Sequence, residues 1–363
     1  MSHLPSRHSE LPVGEVPLSN AEMMRMLGVD DDIHLTRTAL LGRLALREAL
    51  HEAALTADAL SEVPFVSATT VGGMDRRELF HSQEKDADFT HALIATHHCA
   101  TSTEMIADHF GEFASLSTVS TACSSATNAI ITGANMIRSG LADIVIAGGA
   151  ESLSLFHLNG FNALMILDHH PCRPFDDERA GLNLGEGAAY LVMESSTSVK
   201  RRGVRPLARI SGYGNACDAF HQTASSPNGE GAFLAMNEAL SMAGMKPVDI
   251  QYVNAHGTGT PNNDMSESQA ILRVFGDHYP PISSTKSFTG HTTSASGGIE
   301  AVICSLAITH QFLPVNLNWN NPIDQGIIPV TDSRPCTVIK NVLSNAFGFG
   351  GNDSSLIISQ YDG

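Results

Sequence analysis

The chain has 363 residues, 42% of them hydrophobic, and its 38 acidic against 21 basic side chains give a formal net charge of −17. This length suffices for one large two-part core or for two ordinary domains. The acidic balance argues against nucleic-acid binding as the main activity, because contact with phosphates needs a basic surface.

The cysteines and the N-terminus indicate a protein of a reducing compartment. The six cysteines are scattered without a C-x-x-C pair, and a chain of this size needs no disulfides, so free thiols are expected. The N-terminus lacks the basic and apolar regions of a signal peptide, and no apolar run is long enough to cross a bilayer. We therefore predict a cytoplasmic protein without a membrane span, whose polar, proline-rich first twenty residues lie on the surface.

The first half of the chain alternates helices and strands. Apolar residues at helical spacing predict helices over 36–55 and 89–110, and between them a strand begins at Pro64. The β-branched segment SLSTVSTAC precedes a helix that ends at Gly140. Two strands are then predicted, in ADIVIAGGAES and EGAAYLVME, and the first of them is apolar enough to be buried on both faces.

The same alternation restarts near Arg205. Strands are predicted in LARISGYG, DIQYVNAH and PISST, together with helices near 230–243, 264–275 and 294–310. Two further strands are predicted near 336–346 and 354–359. The pattern predicts a layered α/β architecture in two halves, 1–205 and 206–363, and the lack of a low-complexity linker predicts that they pack as one unit.

A candidate nucleophile lies where a predicted strand meets the start of a helix. This is Cys123, in VSTACSSATNAI. At a helix N-terminus the unpaired backbone N–H groups and the positive dipole end stabilise a thiolate, which lowers the thiol pKa. Ser124 and Ser125 beside it are candidates for capping the helix. From this segment alone, a reactive cysteine and a small buried core cysteine are equally good interpretations.

Two histidines follow predicted strands in glycine-rich segments. His256 lies in VNAHGTGTPNND and His291 lies in STKSFTGHTTSASGGIEAVI, positions from which a side chain can face a cleft. Thr258 and Thr260 add hydroxyls that could bind a polar ligand. Taken alone, each histidine is more often an ordinary hydrogen-bonded residue of a turn.

Two further kinds of residue are candidates for the functional site: charged residues near His291 and glycines near the end of the chain. Lys286 and Glu300 lie on either side of His291, and alone each would most often be a surface charge. In NAFGFGGNDSSLI, Gly350 and its neighbouring glycines allow the backbone to come close to a ligand, and one of the amides could donate to an oxyanion. A plain glycine-rich hairpin is the alternative interpretation of this segment.

Other binding motifs are incomplete in the sequence. GTGTPN and GYGNAC lack the third glycine of a dinucleotide fingerprint, and no P-loop, H-E-x-x-H or G-x-S-x-G occurs. The pairs His97-His98 and His169-His170 are adjacent in sequence, so their side chains point in different directions and make weak metal candidates. No metal site is predicted.

Six segments, in order along the chain, together resemble the β-ketoacyl synthase family. The resemblance is to its elongating Cys-His-His branch, which is similar to β-ketoacyl-[acyl-carrier-protein] synthase II. The matching segments are STACSSATNAI, ADIVIAGGAES, CRPFDDERAGLNLGEGAAYLVME, NAHGTGTPNND, STKSFTGHTTSASGGIEA and NAFGFGGND. One such segment would be weak evidence, whereas six in the family's order are hard to produce by chance.

The resemblance implies the thiolase fold, an αβαβα sandwich of two similar halves that each contain a five-stranded mixed sheet. It implies a homodimer, or a heterodimer with a related ketosynthase chain, and an acyl carrier protein as the substrate carrier. It implies no metal or redox cofactor, because the substrates are carried on the phosphopantetheine of the carrier protein.

For the catalytic residues, the resemblance implies that Cys123 is acylated by a carrier-bound donor. His256 and His291 would stabilise the enolate that forms when a malonyl thioester loses carbon dioxide, and this enolate would attack the acyl group. Lys286 and Glu300 match charged residues that help to position His291.

The resemblance also implies a set of substrate-binding residues. The backbone N–H groups of Cys123 and Phe349 match an oxyanion hole, and Phe349 matches the aromatic gate of the acyl pocket. Thr258 and Thr260 match hydroxyls that contact the pantetheine arm. The other predicted substrate-binding residues are Phe347 and Gly350.

Two regions depart from the family pattern. The usual opening strand of the type V-V-V-T-G-x-G and the helix after it have no counterpart in the sequence, which predicts a gap within the first sheet and poor stability. Residues 74–115 are rich in histidine and match no family segment, so the preferred acyl chain length is not predicted.

Three alternatives have to be weighed against an elongating synthase. Thiolases share the fold but use a second cysteine, whereas the tail turn has Asn345 and Phe347. Initiating synthases pair the cysteine with one His and one Asn, which His291 argues against. A non-catalytic partner subunit, similar to a chain-length factor, would generally lack the nucleophile that Cys123 supplies. Fatty acid, polyketide and polyene pathways all use this chemistry, and no motif distinguishes them.

Overall fold

The structure is a computed structural model that describes residues 4, 6–30, 35–80, 94–335 and 337–362. Its strands form two main sheets and one short two-stranded pair, with helices packed against the main sheets. Across these described ranges, no helix is both long enough and apolar enough to span a membrane. The predicted layered α/β architecture is confirmed.

The first main sheet is built from residues before position 205. The strands in this part are β1 (Val13–Gly14), β2 (Pro64–Ala68), β3 (Ser115–Val119), β4 (Ile144–Glu151), β5 (Leu184–Gly185) and β6 (Gly187–Glu194). The α-helices are α1 (Asn20–Leu27), α2 (Arg37–Glu52), α3 (Met74–Phe80), α4 (Cys99–Asp108), α5 (Ser125–Arg138), α6 (Leu155–Ala163) and α7 (Ser196–Arg202).

The second main sheet is built from the later residues. Its strands are β7 (Arg209–Cys217), β8 (Tyr252–Asn254), β9 (Ile282–Ser283), β10 (Asn341–Gly348) and β11 (Asn352–Ser359). The α-helices are α8 (Glu230–Ala243), α9 (Pro261–Phe275), α10 (Lys286–Thr289) and α11 (Ser296–His310). The division between residues 205 and 206 stays a prediction.

Most predicted elements have a counterpart of the same type. The helix predicted over 36–55 corresponds to α2, whose N-cap Thr36 accepts the N–H of Ala39. The helix predicted over 89–110 corresponds to α4 in its C-terminal part, and residues 89–93 lie outside the described residues. The strand predicted near 336–346 begins only at Asn341.

The two main sheets share one arrangement of four strands. In the first sheet, of order β3-β2-β4-β6, β2 is parallel to β3 and β4, and β6 is antiparallel to β4. In the second sheet, of order β7-β11-β10-β8-β9, β8 is parallel to β9 and β10, and β11 is antiparallel to β10. The second sheet has one further strand, β7, which pairs with β11 at the edge.

The position of β7 corrects one expectation about the first sheet. By correspondence with β7, a fifth strand of the first sheet would lie beside β6, at the margin. The four described strands β3, β2, β4 and β6 are continuous with one another. The expected gap within the first sheet is therefore wrong, because the four described strands pair without a break and the position that corresponds to β7 lies at the edge.

The helices and sheets form five layers. α5 and α11 lie between the two sheets, where Ala129 and Ile130 of α5 share one core with Tyr252 and Val342 of the second sheet. α2 and α4 cover the outer face of the first sheet, and α8 and α9 cover the outer face of the second. The order of the layers is therefore αβαβα.

The two central helices approach closely at Gly297. A Cβ atom on this residue of α11 would lie 2.0 Å from Oγ1 of Thr127 and 3.0 Å from its backbone N on α5. Packed atoms do not come so close, so the crossing requires glycine. Both residues lie near the start of their helices, so the crossing brings together the loops that precede α5 and α11. These loops carry Cys123 and His291.

The N-terminal segment is exposed or half-buried over most of its described residues, as predicted for a surface segment, but it is anchored at one point. Leu11 is buried, and β1 pairs in parallel with β5. Gly14 passes so close to the backbone of Thr289 that a Cβ atom would lie 1.9 Å from the carbonyl oxygen. The segment is held there because Leu11 and Val13 pack in one cluster with apolar residues that include Leu153 and Leu184.

Candidate active site

The candidate catalytic residues lie on loops between the strands and the helices. Cys123 precedes α5, His256 follows β8, and His291 lies between α10 and α11. Ala122 has a φ of 53°, so the chain turns sharply between β3 and α5. This turn places the thiol of Cys123 where residues of the second half, Lys286 and Phe349, act on it.

Cys123 is buried, with 5% of its surface exposed. The charge of Lys286 and the backbone N–H groups of Phe349 and of Cys123 itself favour the thiolate. Burial nevertheless raises the pKa of the Cys123 thiol to about 11. The prediction of a lowered pKa is therefore wrong for the resting thiol, because desolvation outweighs the N–H groups and the nearby cation.

Ser124 and Ser125 stabilise the turn at the nucleophile and do not cap the helix. Ser124 Oγ donates to the Thr121 carbonyl at 2.8 Å and to Asn352 Oδ1 at 2.9 Å, and Ser125 Oγ donates to the Ala122 carbonyl. The side chain of the N-cap residue, Ser124, makes no bond to the first N–H groups of α5, so the capping prediction is wrong. These hydroxyls tie the turn to β11.

His256 and His291 face each other in the interior. Their ring centroids are 5.4 Å apart and their planes make an angle of 84°. Burial, and then the charge of Lys286, lower the pKa of both imidazoles well below the ordinary value, so both are neutral at physiological pH. A neutral imidazole has one N–H, so each ring can donate one hydrogen bond to a ligand oxygen.

The two histidines are held by different contacts. His291 Nδ1 lies 3.0 Å from Ser296 Oγ at the start of α11. The backbone N–H of His256 donates to Glu267 at 2.8 Å, and the His256 ring packs against Phe347 at 5.6 Å between centroids. His256 Nδ1 is buried without a hydrogen-bond partner in the described parts of the chain, so this nitrogen keeps an unused hydrogen-bonding position.

Lys286 and Glu300 form a buried ion pair. Lys286 Nζ lies 2.6 Å from Glu300 Oε1, and both side chains are almost wholly buried. They are therefore not the surface charges that each would suggest alone. Burial raises the pKa of Glu300, and the opposite effect of Lys286 is smaller. The charge of Lys286 acts on His291, but the direct hydrogen-bond partner of that ring is Ser296.

The predicted substrate-binding residues lie in two groups. The hydroxyls of Thr258 and Thr260 are 2.9 Å apart and bond to each other, and Thr260 also caps α9. In the tail turn, Phe349 stacks on Phe161 of α6 with ring centroids 5.8 Å apart at 19°. Gly350 has a φ of 84°, and its N–H donates to the Gln222 carbonyl.

Sequence analysis missed residues that hold the site together. Glu267 on α9 accepts the N–H groups of His256 and Gly257 and the Nδ2 of Asn345. Asp264, one turn earlier on the same helix, accepts the N–H of Gly259. The available signal in the sequence was a pair of acidic residues three positions apart, of which Asp264 ends the His256 segment and Glu267 follows it.

The histidine pairs that were weak metal candidates are not part of a metal-binding group in the described residues. Over the residues that the structure describes, no group of three or more His, Cys, Asp and Glu side chains is placed to hold a metal ion. His98 accepts the N–H of Ala100 and so caps α4.

Comparisons with known proteins agree with this arrangement. Residues 31–198 match the family "Beta-ketoacyl synthase, N-terminal domain", and residues 207–320 match "Beta-ketoacyl synthase, C-terminal domain". These matches cover more than half of the chain. The chain belongs to the β-ketoacyl synthase family. The predictions of this family and of an acyltransferase are therefore confirmed.

Individual members of the β-ketoacyl synthase family match over much of the chain. The 3-oxoacyl-[acyl-carrier-protein] synthase 2 of Staphylococcus aureus is 35% identical over 342 residues, which cover 88% of this chain and 80% of the relative. The mitochondrial 3-oxoacyl-[acyl-carrier-protein] synthase of Arabidopsis thaliana is 39% identical over 254 residues, which cover 66% of this chain and 55% of the relative. This chain thus spans about half the length of the plant relative.

A solved structure supports the fold. The structure described as "The ishigamide ketosynthase/chain length factor" matches with a TM-score of 0.88 and 33% identity, over 96% of this chain and 87% of that chain. The predicted thiolase fold is confirmed by this likeness, together with the five layers of the two halves.

Proposed function

We propose that this β-ketoacyl synthase joins an acyl group held on Cys123 to a malonyl unit carried by an acyl carrier protein, with loss of carbon dioxide. The observation that carries the proposal is the pair of neutral, buried imidazoles of His256 and His291, 5.4 Å apart, in the same site as Cys123. Relatives named 3-oxoacyl-[acyl-carrier-protein] synthase support the same reaction.

In the first step, the sulfur of Cys123 attacks the carbonyl carbon of a carrier-bound acyl thioester. The bond between that carbon and the carrier sulfur breaks, and the carrier thiol leaves with the proton that Cys123 releases. The backbone N–H groups of Cys123 and Phe349 favour negative charge on the sulfur, and in this proposal they stabilise the negative oxygen of the intermediate.

In the second step, a malonyl thioester loses carbon dioxide. The electrons of the broken carbon–carbon bond form an enolate, and His256 and His291 each donate an N–H to its oxygen. The α-carbon then attacks the acyl carbon on Cys123, and the thioester bond to Cys123 breaks. The β-ketoacyl thioester leaves on the carrier, and the released thiolate takes up a proton from water to restore the thiol. The ion pair of Lys286 and Glu300 keeps a fixed cation beside both Cys123 and His291.

Substrate binding in this proposal uses the two groups described above. The hydroxyls of Thr258 and Thr260 would contact the phosphopantetheine arm of the carrier, and Phe347, Phe349 and Gly350 would line the acyl side. The phosphopantetheine belongs to the carrier, and no metal or redox cofactor enters the proposed steps. Fatty acid, polyketide and polyene biosynthesis all require this reaction.

The proposed partners are an acyl carrier protein and a second synthase chain. The second chain would be a copy of this one or a related ketosynthase, and it would pair at the edge strand β3. Within the described residues β3 pairs with β2 alone, and its Leu116 is 41% exposed. We place the enzyme in the cytoplasm, in keeping with the free thiols of Cys99, Cys123, Cys172, Cys217 and Cys304.

The test is the intact mass of the protein after incubation with an acyl-carrier-protein thioester. We expect an added acyl mass on the wild type and on a matched control, Cys217→Ala, which removes an exposed cysteine outside the site. Cys123→Ala should gain no mass. After malonyl-carrier protein is added, His256→Ala should remain acylated and form product at least about a hundredfold more slowly, as expected for loss of one oxyanion donor.

A folded wild type that gains no acyl mass would overturn the proposed reaction. That result would favour the alternative, a non-catalytic partner subunit similar to a chain-length factor.

A further inference from the structure

A third buried imidazole lies next to the proposed acyl site. His157 is in the first turn of α6 and is 4% exposed. Its Nδ1 lies 3.0 Å from Ser154 Oγ, and the same hydroxyl accepts the backbone N–H of His157 at 3.2 Å. The backbone of Ser152 also acts on the ring and favours its protonated form. A buried polar ring is costly unless it is hydrogen bonded, and these contacts hold it in one orientation.

His157 is also next to a buried carboxylate. Glu151 ends β4, and its oxygens accept hydrogen bonds from Thr69 Oγ1, Thr70 N and Ser294 Oγ at 2.6–2.8 Å. The charge of Glu151 favours protonation of His157, but burial is the larger effect and lowers the pKa of this imidazole. His157 is therefore neutral at physiological pH and sits in the site as a fixed, uncharged ring.

A series of aromatic contacts joins this ring to the nucleophile. The centroids of His157 and Phe161 are 6.3 Å apart at 60°, an edge-to-face contact between residues one helical turn apart. Phe161 stacks on Phe349, with centroids 5.8 Å apart. The backbone N–H of Phe349 acts on the thiol of Cys123 and favours its charged form. Movement of the His157 ring would therefore free Phe161, and then Phe349, beside the reacting sulfur.

We propose that His157 is a positioning residue that holds the Phe161–Phe349 stack and thereby limits the length of the acyl chain that Cys123 accepts. The two-histidine mechanism leaves His157 without a task, and in this proposal an acyl chain on Cys123 passes the rings that His157 supports. This inference deepens the proposed function and rests on the proposed acylation of Cys123.

The experiment measures how Cys123 discriminates between a short and a long chain, with two kinds of probe. The first pair is a short and a long saturated acyl-carrier-protein thioester. The second pair is iodoacetamide and an iodoacetamide that carries a long alkyl chain, which react with the thiol without any enzymatic step. Labelling of Cys123 is followed by peptide mass, with Cys123→Ala as the blank.

We expect His157→Ala to raise the ratio of long-chain to short-chain labelling about tenfold with both probe pairs, the size of change that one lost packing contact produces. Phe161→Ala should have the same effect, and the double variant should add little to it, because the two residues act in series. His157→Phe keeps the ring and should stay within about twofold of the wild type. The matched control is Asn162→Ala, an exposed position of the same helix, which should leave the ratio unchanged.

The outcomes separate this inference from the proposed function. An unchanged ratio in His157→Ala would overturn the inference, whether the labelling rates stay the same or fall equally for both chain lengths. A different result would be that the wild type is not acylated while His157→Ala still has the raised alkylation ratio. It would overturn the proposed reaction and support the role of His157.

Discussion

Asp353 is a buried carboxyl group close to two other acids, Asp218 and Glu267. Burial raises the pKa of Asp353 to about 8, and the charges of both neighbours contribute. The neighbours are already occupied: Asp218 accepts the N–H of Gly231 at the start of α8, and Glu267 accepts the N–H of His256. Asp353 is therefore protonated at neutral pH, because burial disfavours its charged form and the two acidic neighbours add to this effect.

Asp353→Asn should change stability in a pH-dependent way. An unfolded aspartate titrates near ~3.9, so between that pH and about 8 the unfolded chain loses a proton that the native state keeps. The wild type therefore becomes less stable across this range as pH rises. Urea denaturation gives the free energy of unfolding of Asp353→Asn and of the wild type at each pH. We expect the difference, variant minus wild type, to be more positive at pH 8 than at pH 5 by about 1 kcal/mol or more.

The control for this prediction is Asp332→Asn. Arg334 holds the pKa of the exposed Asp332 at about 2, so this group does not titrate between pH 5 and pH 8. Its substitution should shift stability equally at both values. An equal shift for Asp353→Asn would contradict the raised pKa.

For Cys123, the sequence motif predicted the position of the nucleophile but not the direction of its pKa shift. The segment STACSSATNAI located the nucleophile turn correctly in sequence, and the structure places Lys286 and Phe349 beside it. The direction of the pKa shift was wrong, since it depends on burial by residues far away in the chain. A local pattern reports which atoms are present, whereas desolvation is a property of the packed surroundings.

The close crossing of α5 and α11 is the feature that matters most among the elements. Gly297 and Thr127 are in contact near the helix starts, and the loops before these helices carry Cys123 and His291. Ala126 and Ala129 add small buried side chains to the same helix as Thr127. A larger residue at the crossing would separate the two loops as well as the two helices.

Gly297→Ala should destabilise the protein. The added methyl would lie 2.0 Å from Thr127 Oγ1 and 3.0 Å from the backbone N of that residue, so the side chain alone cannot relieve the clash. We expect the free energy of unfolding to fall by about 1–3 kcal/mol in urea denaturation.

Gly160→Ala in α6 is the matched control for the crossing. No atom lies within 4 Å of a Cβ built on Gly160, so this change should leave the stability equal to that of the wild type or raise it by up to about 1 kcal/mol. Equal losses in both variants would show that close packing at the crossing is not the cause.

The whole molecule has two sheets whose edges differ. β7 closes one edge of the second sheet, whereas the corresponding edge of the first sheet ends at β6 among the described strands. At its other edge the first sheet ends at β3, where three residues in a row are exposed. Unpaired edges favour pairing with another chain, and this is the physical basis for the proposed dimer at β3.

Leu116→Lys should weaken this dimer. The side chain is 41% exposed in the single chain, and a lysine on an edge strand opposes pairing with a second strand. We expect sedimentation velocity to show a dissociation constant at least about tenfold higher than that of the wild type. Leu141→Lys, at a 74% exposed position after α5, is the control and should sediment as the wild type does. Unchanged association of Leu116→Lys would exclude β3 as the interface.

The sequence by itself determined the order along the chain of the strands in the two main sheets, the family, and the segments that carry Cys123, His256 and His291. Hydrophobic periodicity and short motifs are local properties, so they are readable without a structure. The burial of Leu11 could not be read in this way, because it depends on a core formed with residues such as Leu153 and Leu184.

Tertiary structure decided the properties that join distant parts of the chain. It set the raised pKa of Cys123, the stacking of Phe161 on Phe349, and the position of β7 at an edge, which removes the expected gap in the first sheet. Each of these depends on desolvation or contact between residues that are far apart in sequence. Local periodicity has no access to such contacts, and for that reason only the folded chain shows them.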